Sequence, residues 1–387
     1  MDFFGTVTGA AGSLLGYIIP FLIVLTVVVF VHEMGHFLVG RWCGVGVTAF
    51  SVGFGPEIVG YTDRRGTRWK LSAIPLGGYV KFVGDVNAAS VPDSDELNRM
   101  SPELRAISFP YQNVAKRAAI VAAGPIANFL LAIAIFAGVT YVNGRQVLTP
   151  RIEAIQPGSA AERAGFQPGD VIVSINGTPI ESFADMQRWV SASPGETLVI
   201  AVDRSGREVP LEAVPDLKEQ STPFGKQRIG LLGLQASRDP ADVRRVTYGP
   251  WGALKAGVGE TWYVIERTFN YIGKLVTGRE STDQLSGPIR IAQVSGQVAN
   301  IGGVGGLIGL VAVLSVSIGL INLFPVPLLD GGHLLFYGIE AARGRPLSER
   351  AQEIGFRIGF ALVVMLMLFA TWNDIVHLGA SFTGRGT

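Results

Sequence analysis

The chain has 387 residues, of which 48% are hydrophobic and only 16% charged, with a formal net charge of +1. Soluble globular proteins carry about 25% charged residues, so the composition points to a membrane protein, and so small a net charge gives no reason to expect a nucleic-acid partner. Cys43 is the single cysteine, which excludes an intrachain disulfide.

A first apolar span runs from about Leu14 into "VHEMGHFLVG", residues 31–40, and no charged residue stands between Phe3 and Val31. Roughly 20 apolar residues suffice to cross a bilayer. The segment lacks a basic leading region and a small-residue cleavage site, so it reads as a retained span rather than a signal peptide. His32 and His36 form H-E-x-x-H. On a helix, residues four apart share a face, so both imidazoles reach one ion, while Glu33 projects about 100° away. Two ligands plus a carboxylate that activates the metal's water is a zinc-hydrolase arrangement. A soluble metalloprotease helix would be amphipathic, whereas this one is apolar all round, and ionisable groups inside a membrane are functional by default.

The next stretch, from Val47 to Gly84, holds two strand-like runs around Asp63-Arg64-Arg65-Gly66, which predicts a hairpin. It either plugs the mouth of the site or offers an edge strand to an unwound substrate. Residues 84–108 are polar, with proline and serine, and read as a flexible loop. A second span covers Ala118 to Val142, entered through Lys116 and Arg117.

Residues 149–215 change character. "RIEAI" and "DVIVSING" read as strands, "SAAERAG" and "SFADMQRWVSA" as helices, and "TLVIAVDRSGREVPLEAV" as a hairpin turning at Ser205-Gly206. Asn176-Gly177 reads as a turn rather than a glycosylation site. The stretch 250–279 is helical, with Trp262, Ile265, Phe269 and Ile272 on one side, suited either to a membrane surface or to packing on a domain.

A third span covers about Gly302 to Leu323, its glycines allowing close helix contact, and a fourth about Ile354 to Trp372. Between them "INLFPVPLLDGGHLLFYGIE" carries Asp330 inside an apolar stretch broken by Pro325 and Pro327. Irregular backbone at membrane depth survives only where protein buries it or it lines a wet cavity. A hydrolytic zinc has three protein ligands, so Asp330 is the expected third, with His333 a rival or a neighbouring supporting group. Lys and Arg concentrate between Arg41 and Arg117 and between Arg343 and Arg350. By the positive-inside rule those loops are cytoplasmic, with both termini and residues 143–300 outside.

"HEMGH" in the first span and "NLFPVPLLDGGH" in a later one resemble the site-2 protease family of intramembrane zinc metalloproteases, in its bacterial RseP-type branch. "IPLGGYVKF", "AAGPIANFLLA" and "LSGPIRIAQ" extend the likeness over nearly the whole chain. The resemblance implies His32, His36 and Asp330 as zinc ligands, Glu33 as catalytic base and Asn322 as a substrate-positioning residue. "IQPGSAAERAGFQPGDVIVSINGTPI" is similar to PDZ domains of envelope proteases, which bind an extended peptide on a sheet edge. The branch's well-known form has two such domains in tandem, and this chain has room for one.

The expected architecture is therefore an α-helical polytopic membrane protein of about four transmembrane helices, with an inserted PDZ-like α/β domain and a membrane-associated β-hairpin. Residues 1–142 would hold the first two spans with the hairpin, 149–215 the PDZ-like domain in the periplasm, 216–300 a connecting segment, and 301–387 the last two spans. The resemblance implies a bacterial inner-membrane protease that cuts transmembrane segments of single-span proteins in the bilayer, such as anti-sigma factors or remnant signal peptides. The PDZ-like domain would take peptide ends or pre-cleaved substrates. A zinc or proton transporter should show inverted repeats, which are not apparent, and a non-catalytic PDZ scaffold would not need Glu33.

Overall fold

The computed structural model describes residues 3–85, 100–222, 225–237, 239, 242–277 and 287–382. The chain runs through α1 (Phe3–Trp42), the hairpin β1 (Val47–Thr62) and β2 (Arg68–Phe82), α2 (Pro102–Ile107) and α3 (Val114–Asn143). It continues through β3 (Arg145–Leu148), β4 (Ile152–Ile155), α4 (Ala160–Arg163), β5 (Val171–Ile175), β6 (Thr178–Pro179) and α5 (Phe183–Ala192). Next come β7 (Leu198–Arg204), β8 (Arg207–Ala213), β9 (Asp216–Thr222), β10 (Gly225–Leu231), β11 (Leu234–Ala236) and β12 (Val243–Val246). Four helices close the chain: α6 (Pro250–Val276), α7 (Pro288–Asn322), α8 (Asp330–Arg343) and α9 (Glu349–Phe382). Two compact units result, one of residues 1–137, 254–269 and 286–387, the other of residues 138–253 and 270–285.

In the first unit α1, α3, α7 and α9 are each long and apolar enough to cross a bilayer. Their outward faces stay apolar: Ile19, Leu130, Ile301 and Leu368 are each more than half exposed, which suits contact with lipid. Lipid tails are as apolar as leucine, so helices in a membrane associate through close packing of small residues. Val24 and Val28 of α1 pack with Val294, Leu310 and Val311 of α7. A side chain at Gly35 would collide with the Ala123 backbone of α3, and one at Gly296 with Tyr17 of α1. These crossings hold backbones nearly in contact.

One span and one loop differ from the sequence reading. α7 begins at Pro288 rather than near Gly302, and Gly303 sits inside it at φ 55° and ψ −144°. That geometry is open to glycine and strained for other residues. The residues ahead of the kink, including Arg290, Gln293 and Asn300, are too polar to register as a span. Asp374 of α9 supplies the helix's missing cap, accepting from the N–H groups of Gly287 at 2.9 Å and Arg290 at 3.1 Å. Within the stretch read as a loop, residues 102–107 form α2, with the Ser101 hydroxyl accepting from the Leu104 N–H; residues 86–99 lie outside the described residues.

The second unit is built on a four-stranded antiparallel sheet in the order β6-β5-β7-β8. Along β7 the side chains of Leu198, Ile200 and Val202 are buried while Val199 and Asp203 face outward, the period of two expected of a half-buried strand. With Ile172, Ile175, Phe166, Met186 and Val190 they form the core. Asn176-Gly177 and Ser205-Gly206 all have positive φ, the conformation of tight hairpin turns. Arg204 donates to both oxygens of the buried Asp170, each at 2.8 Å. Beyond residue 215, β11 pairs with β4 and β12 with β3, so the chain returns to the start of this unit before α6. β12 is exposed along its whole length, which is why no alternation marks it in the sequence.

The β1–β2 hairpin is tied to the end of α1. Asp63 accepts from the N–H groups of Arg65 and Thr67 with one oxygen, and from Arg41 at 2.9 Å and the Trp69 indole at 3.1 Å with the other. Burial alone would raise the Asp63 carboxyl, but these donors, the Thr67 N–H foremost, outweigh it and hold the group at about 2 against an ordinary 3.8. A depressed folded pKa stabilises above the unfolded value and is lost as pH falls through the folded one. Amide protection at Arg65 and Thr67 should therefore be greater in the parent chain than in Asp63→Asn at pH 7. The difference should shrink progressively between about pH 5 and pH 1; a gap undiminished at about pH 1 would contradict this assignment.

Candidate metal centre

α1 and α3 meet where each is narrowest. With Gly35 against Ala123, a side chain at Gly124 would strike the rings of His36 and His32. The glycine leaves a cradle into which both imidazoles fold. His36 is oriented by Nδ1, which donates to the Ile120 carbonyl at 2.8 Å. That bond fixes the tautomer and leaves Nε2 as a bare lone pair. His32 Nδ1 lies 3.3 Å from the Asn128 Nδ2 nitrogen, and the two Nε2 atoms stand 3.2 Å apart.

Asp330 arrives from the other end of the chain. α7 ends at Asn322, and the backbone turns through Pro325 and Pro327, with Leu328 at φ 104°, before α8 starts at Asp330. Gly331 and Gly332 are needed for packing rather than for their dihedral angles. A side chain on Gly331 would meet the carbonyls of Leu323 and Phe324, and one on Gly332 would meet Val326 and Pro327. The far end of α8 is pinned by Glu340, which accepts from Arg117 of α3 at 2.6 Å, while the same guanidinium lies over the Tyr337 ring at 4.8 Å. Glu340 is about 15 Å along the helix from Asp330, so α8 is held at both ends.

The result is a convergence of three donors. Asp330 Oδ2 lies 3.1 Å from His32 Nε2 and 3.6 Å from His36 Nε2. Oδ2 is buried and, among the described residues, accepts no hydrogen bond. A carboxylate oxygen facing two imidazole lone pairs repels them unless a proton or a cation stands between. Tetrahedral zinc with bonds of about 2.1 Å needs its donors about 3.4 Å apart, and the observed triangle of 3.1, 3.2 and 3.6 Å has that size. Two nitrogens and one oxygen form the usual donor set of a hydrolytic zinc, with a position left for water. These residues fit the ion.

The donors line a cleft of about 210 Å³ together with Glu33, Asn322 and His333. Glu33 projects from α1 toward β2: a side chain at Gly78 would lie 2.7 Å from the Ser51 carbonyl and 3.3 Å from Glu33 Cγ. The Gly77-Gly78 pair thus lets the strand backbone run past the glutamate. Asn322, the last residue of α7, shares the cleft. His333 lies in it too, its ring 5.4 Å from Phe356 and 6.4 Å from Tyr337, and it is not among the converging donors. Sequence reasoning did not single out Asn128, Gly124 or the Arg117–Glu340 pair. A lone amide inside an apolar span was the available signal for the first.

Comparison with known proteins identifies the family. The family model "Peptidase family M50" matches residues 20–366. An Agrobacterium fabrum protein that carries a zinc-metalloprotease name is 54% identical, over 96% of this chain and 99% of its own length. Metalloprotease MmpA of Caulobacter vibrioides is 40% identical, over 92% and 95%. Regulator of sigma-E protease RseP of Escherichia coli is 33% identical, over 95% and 100%. The last alignment runs over 463 residues, more than the 387 of this chain, so that relative contains segments absent here. With the matched region spanning both the H-E-x-x-H helix and the helix of Asp330, the chain belongs to peptidase family M50, the site-2 proteases, and is a multi-pass membrane zinc metalloprotease.

Proposed function

We propose that His32, His36 and Asp330 hold the zinc ion, that Glu33 is the general base and acid of peptide hydrolysis, and that Asn322 steadies the substrate backbone. The observation that carries this reading is the meeting of three donor atoms beside Glu33 in one cleft among apolar helices. Zinc there supplies Lewis acidity and a water acidic enough to ionise near neutral pH. Glu33 takes the proton of the attacking water and returns it to the leaving nitrogen. The Asn322 amide, at the rim of the same cleft, can donate to a substrate carbonyl and accept from a substrate N–H.

The substrate is a transmembrane segment of a single-span protein, cut where it lies. A helix hides its backbone in its own hydrogen bonds, so the segment must unwind first. Residues 78–82 of β2 pair only with 47–52 of β1 among the described residues, whereas 68–71 are paired on both sides, so this half of β2 has an edge to offer, and Gly78 to Val80 line the cleft. Pairing with this edge would hold an unwound peptide across the metal. The sigma-E name of the Escherichia coli relative supports regulated intramembrane proteolysis; anti-sigma factors or remnant signal peptides are the proposed substrates. Basic loops on the cytoplasmic side would place residues 143–300 in the periplasm of an inner-membrane protein. There residues 149–215, with the strands that follow, act as a PDZ-like module.

Glu33→Gln should keep zinc and lower cleavage of a membrane-embedded substrate by at least about a hundredfold, while Asp330→Ala should lose zinc and cleavage together. Zinc content by mass spectrometry beside gel-based cleavage in proteoliposomes reads both. If His333→Ala empties the site and Asp330→Ala does not, the ligand set is wrong. For the outer module the expected role is a gate. Replacing residues 149–215 by a flexible linker should preserve zinc and Glu33-dependent cutting, and should admit substrates whose outer domains are still intact. A deletion that is folded and metallated but cuts neither trimmed nor intact substrate would mean that the module presents substrate instead.

A further inference from the structure

The zinc-binding reading leaves a proton to be placed. An imidazole that gives Nε2 to a metal keeps its proton on Nδ1, and a buried N–H needs an acceptor. For His36 the acceptor is the Ile120 carbonyl. For His32 the neighbour of Nδ1 is the side-chain amide of Asn128, placed with its Nδ2 nitrogen 3.3 Å away; nitrogen and oxygen of such an amide are interchangeable by a half-turn, and the hydrogen-bond network decides between them.

Ile120, Gly124 and Asn128 stand at intervals of four on α3, so they form one stripe along a helix face. The H-E-x-x-H histidines are also four apart on α1. The stripe matches them one for one: Ile120 takes His36, Gly124 clears room for both rings, and Asn128 meets His32. Asn128 is fully buried, and among the described residues its side chain has one hydrogen-bond partner, His32; its Oδ1 has none. Burying a primary amide with half its capacity unused is costly, and leucine would fill the same space without that cost. Ser315 of α7 donates to the Asn128 backbone carbonyl at 2.9 Å and does not touch the side-chain amide. A half-turn of the amide exchanges its oxygen and nitrogen. With nitrogen toward His32, Nδ1 must be the lone pair and the ring proton moves to Nε2, facing Asp330. With oxygen toward His32, Nδ1–H is bonded and Nε2 is free.

We infer that Asn128 is a positioning residue of the metal centre: its side-chain oxygen accepts the His32 Nδ1 proton and so holds His32 in the tautomer that presents Nε2 to zinc. The inference rests on His32, His36 and Asp330 being the ligands. Outer partners of this kind are worth about ten- to a hundredfold in metal affinity.

The test is competition between the full-length chain in detergent and a zinc chelator, with zinc as the only added metal. Asn128→Leu, of similar volume but without an acceptor, should weaken zinc binding by about ten- to a hundredfold. Asn128→Asp, which always offers an acceptor, should bind zinc at least as tightly as the parent chain. Ser315→Ala, which leaves the amide intact, should not change the affinity. Asp330→Ala is the control for the ligand set. If Asp330→Ala keeps zinc, the site itself is misassigned; if it loses zinc while Asn128→Leu does not, the role of Asn128 is overturned. Equal losses in the Leu and Asp variants would reduce Asn128 to packing and overturn it as well. Should the Leu variant not fold, nitrogen NMR of the unmodified zinc-loaded chain labelled at histidine decides. A protonated His32 Nδ1 whose shift moves in Asn128→Asp is expected, and an unprotonated Nδ1 rules the proposal out.

Discussion

The centre depends on one electrostatic constraint: a buried carboxylate oxygen with no hydrogen-bond donor among the described residues, held 3.1 and 3.6 Å from two imidazole nitrogens. In water such a group would be solvated, but among apolar helices an unpaired carboxylate is among the costliest groups to bury. A divalent cation at the focus turns a repulsive arrangement into an attractive one. The surrounding features can be understood as what it takes to keep three donors from three remote parts of the chain aimed at one point.

That requirement accounts for the concentration of glycine at the crossings. Gly35 and Gly124 bring α1 and α3 together around the histidines, while Gly331 and Gly332 fold α8 beneath the proline turn that precedes Asp330. Where packing alone would leave a helix free to slide, ionic and polar ties add register. Arg117 and Glu340 fix the distal end of α8, Asp374 caps α7 from α9, and Asp63 binds the hairpin to Arg41 at the end of α1. Function requires this rigidity at the metal and access beside it. Gly78 to Val80 of β2 line the cleft beside Glu33.

Much of this was legible in the sequence, for identifiable reasons. His32, Glu33 and His36 could be read because a four-residue spacing means a shared helix face wherever the helix lies. Asp330 stood out as an acid in an apolar stretch broken by prolines. Asp63 to Gly66, Asn176-Gly177 and Ser205-Gly206 announced their turns through residue types that accept those backbone angles. What could not be read depends on partners distant in the chain. Nothing local says that Asn128 lies against His32, because that follows from the antiparallel crossing of α1 and α3. The start of α7 at Pro288 was hidden by its polar first turns, and β12 by its full exposure. Pairing of β11 with β4 spans about eighty residues and leaves no periodic trace.

Two imidazoles and one carboxylate, and no other side chains, are expected to hold the zinc. X-ray absorption at the zinc edge on the purified full-length chain addresses it without any substitution. The expected spectrum has a single shell of nitrogen and oxygen at about 2.0–2.1 Å, with outer scattering from two imidazole rings. A sulfur shell at about 2.3 Å, which only Cys43 or a methionine could supply, or the scattering of three imidazoles, which would bring in His333, would contradict the account.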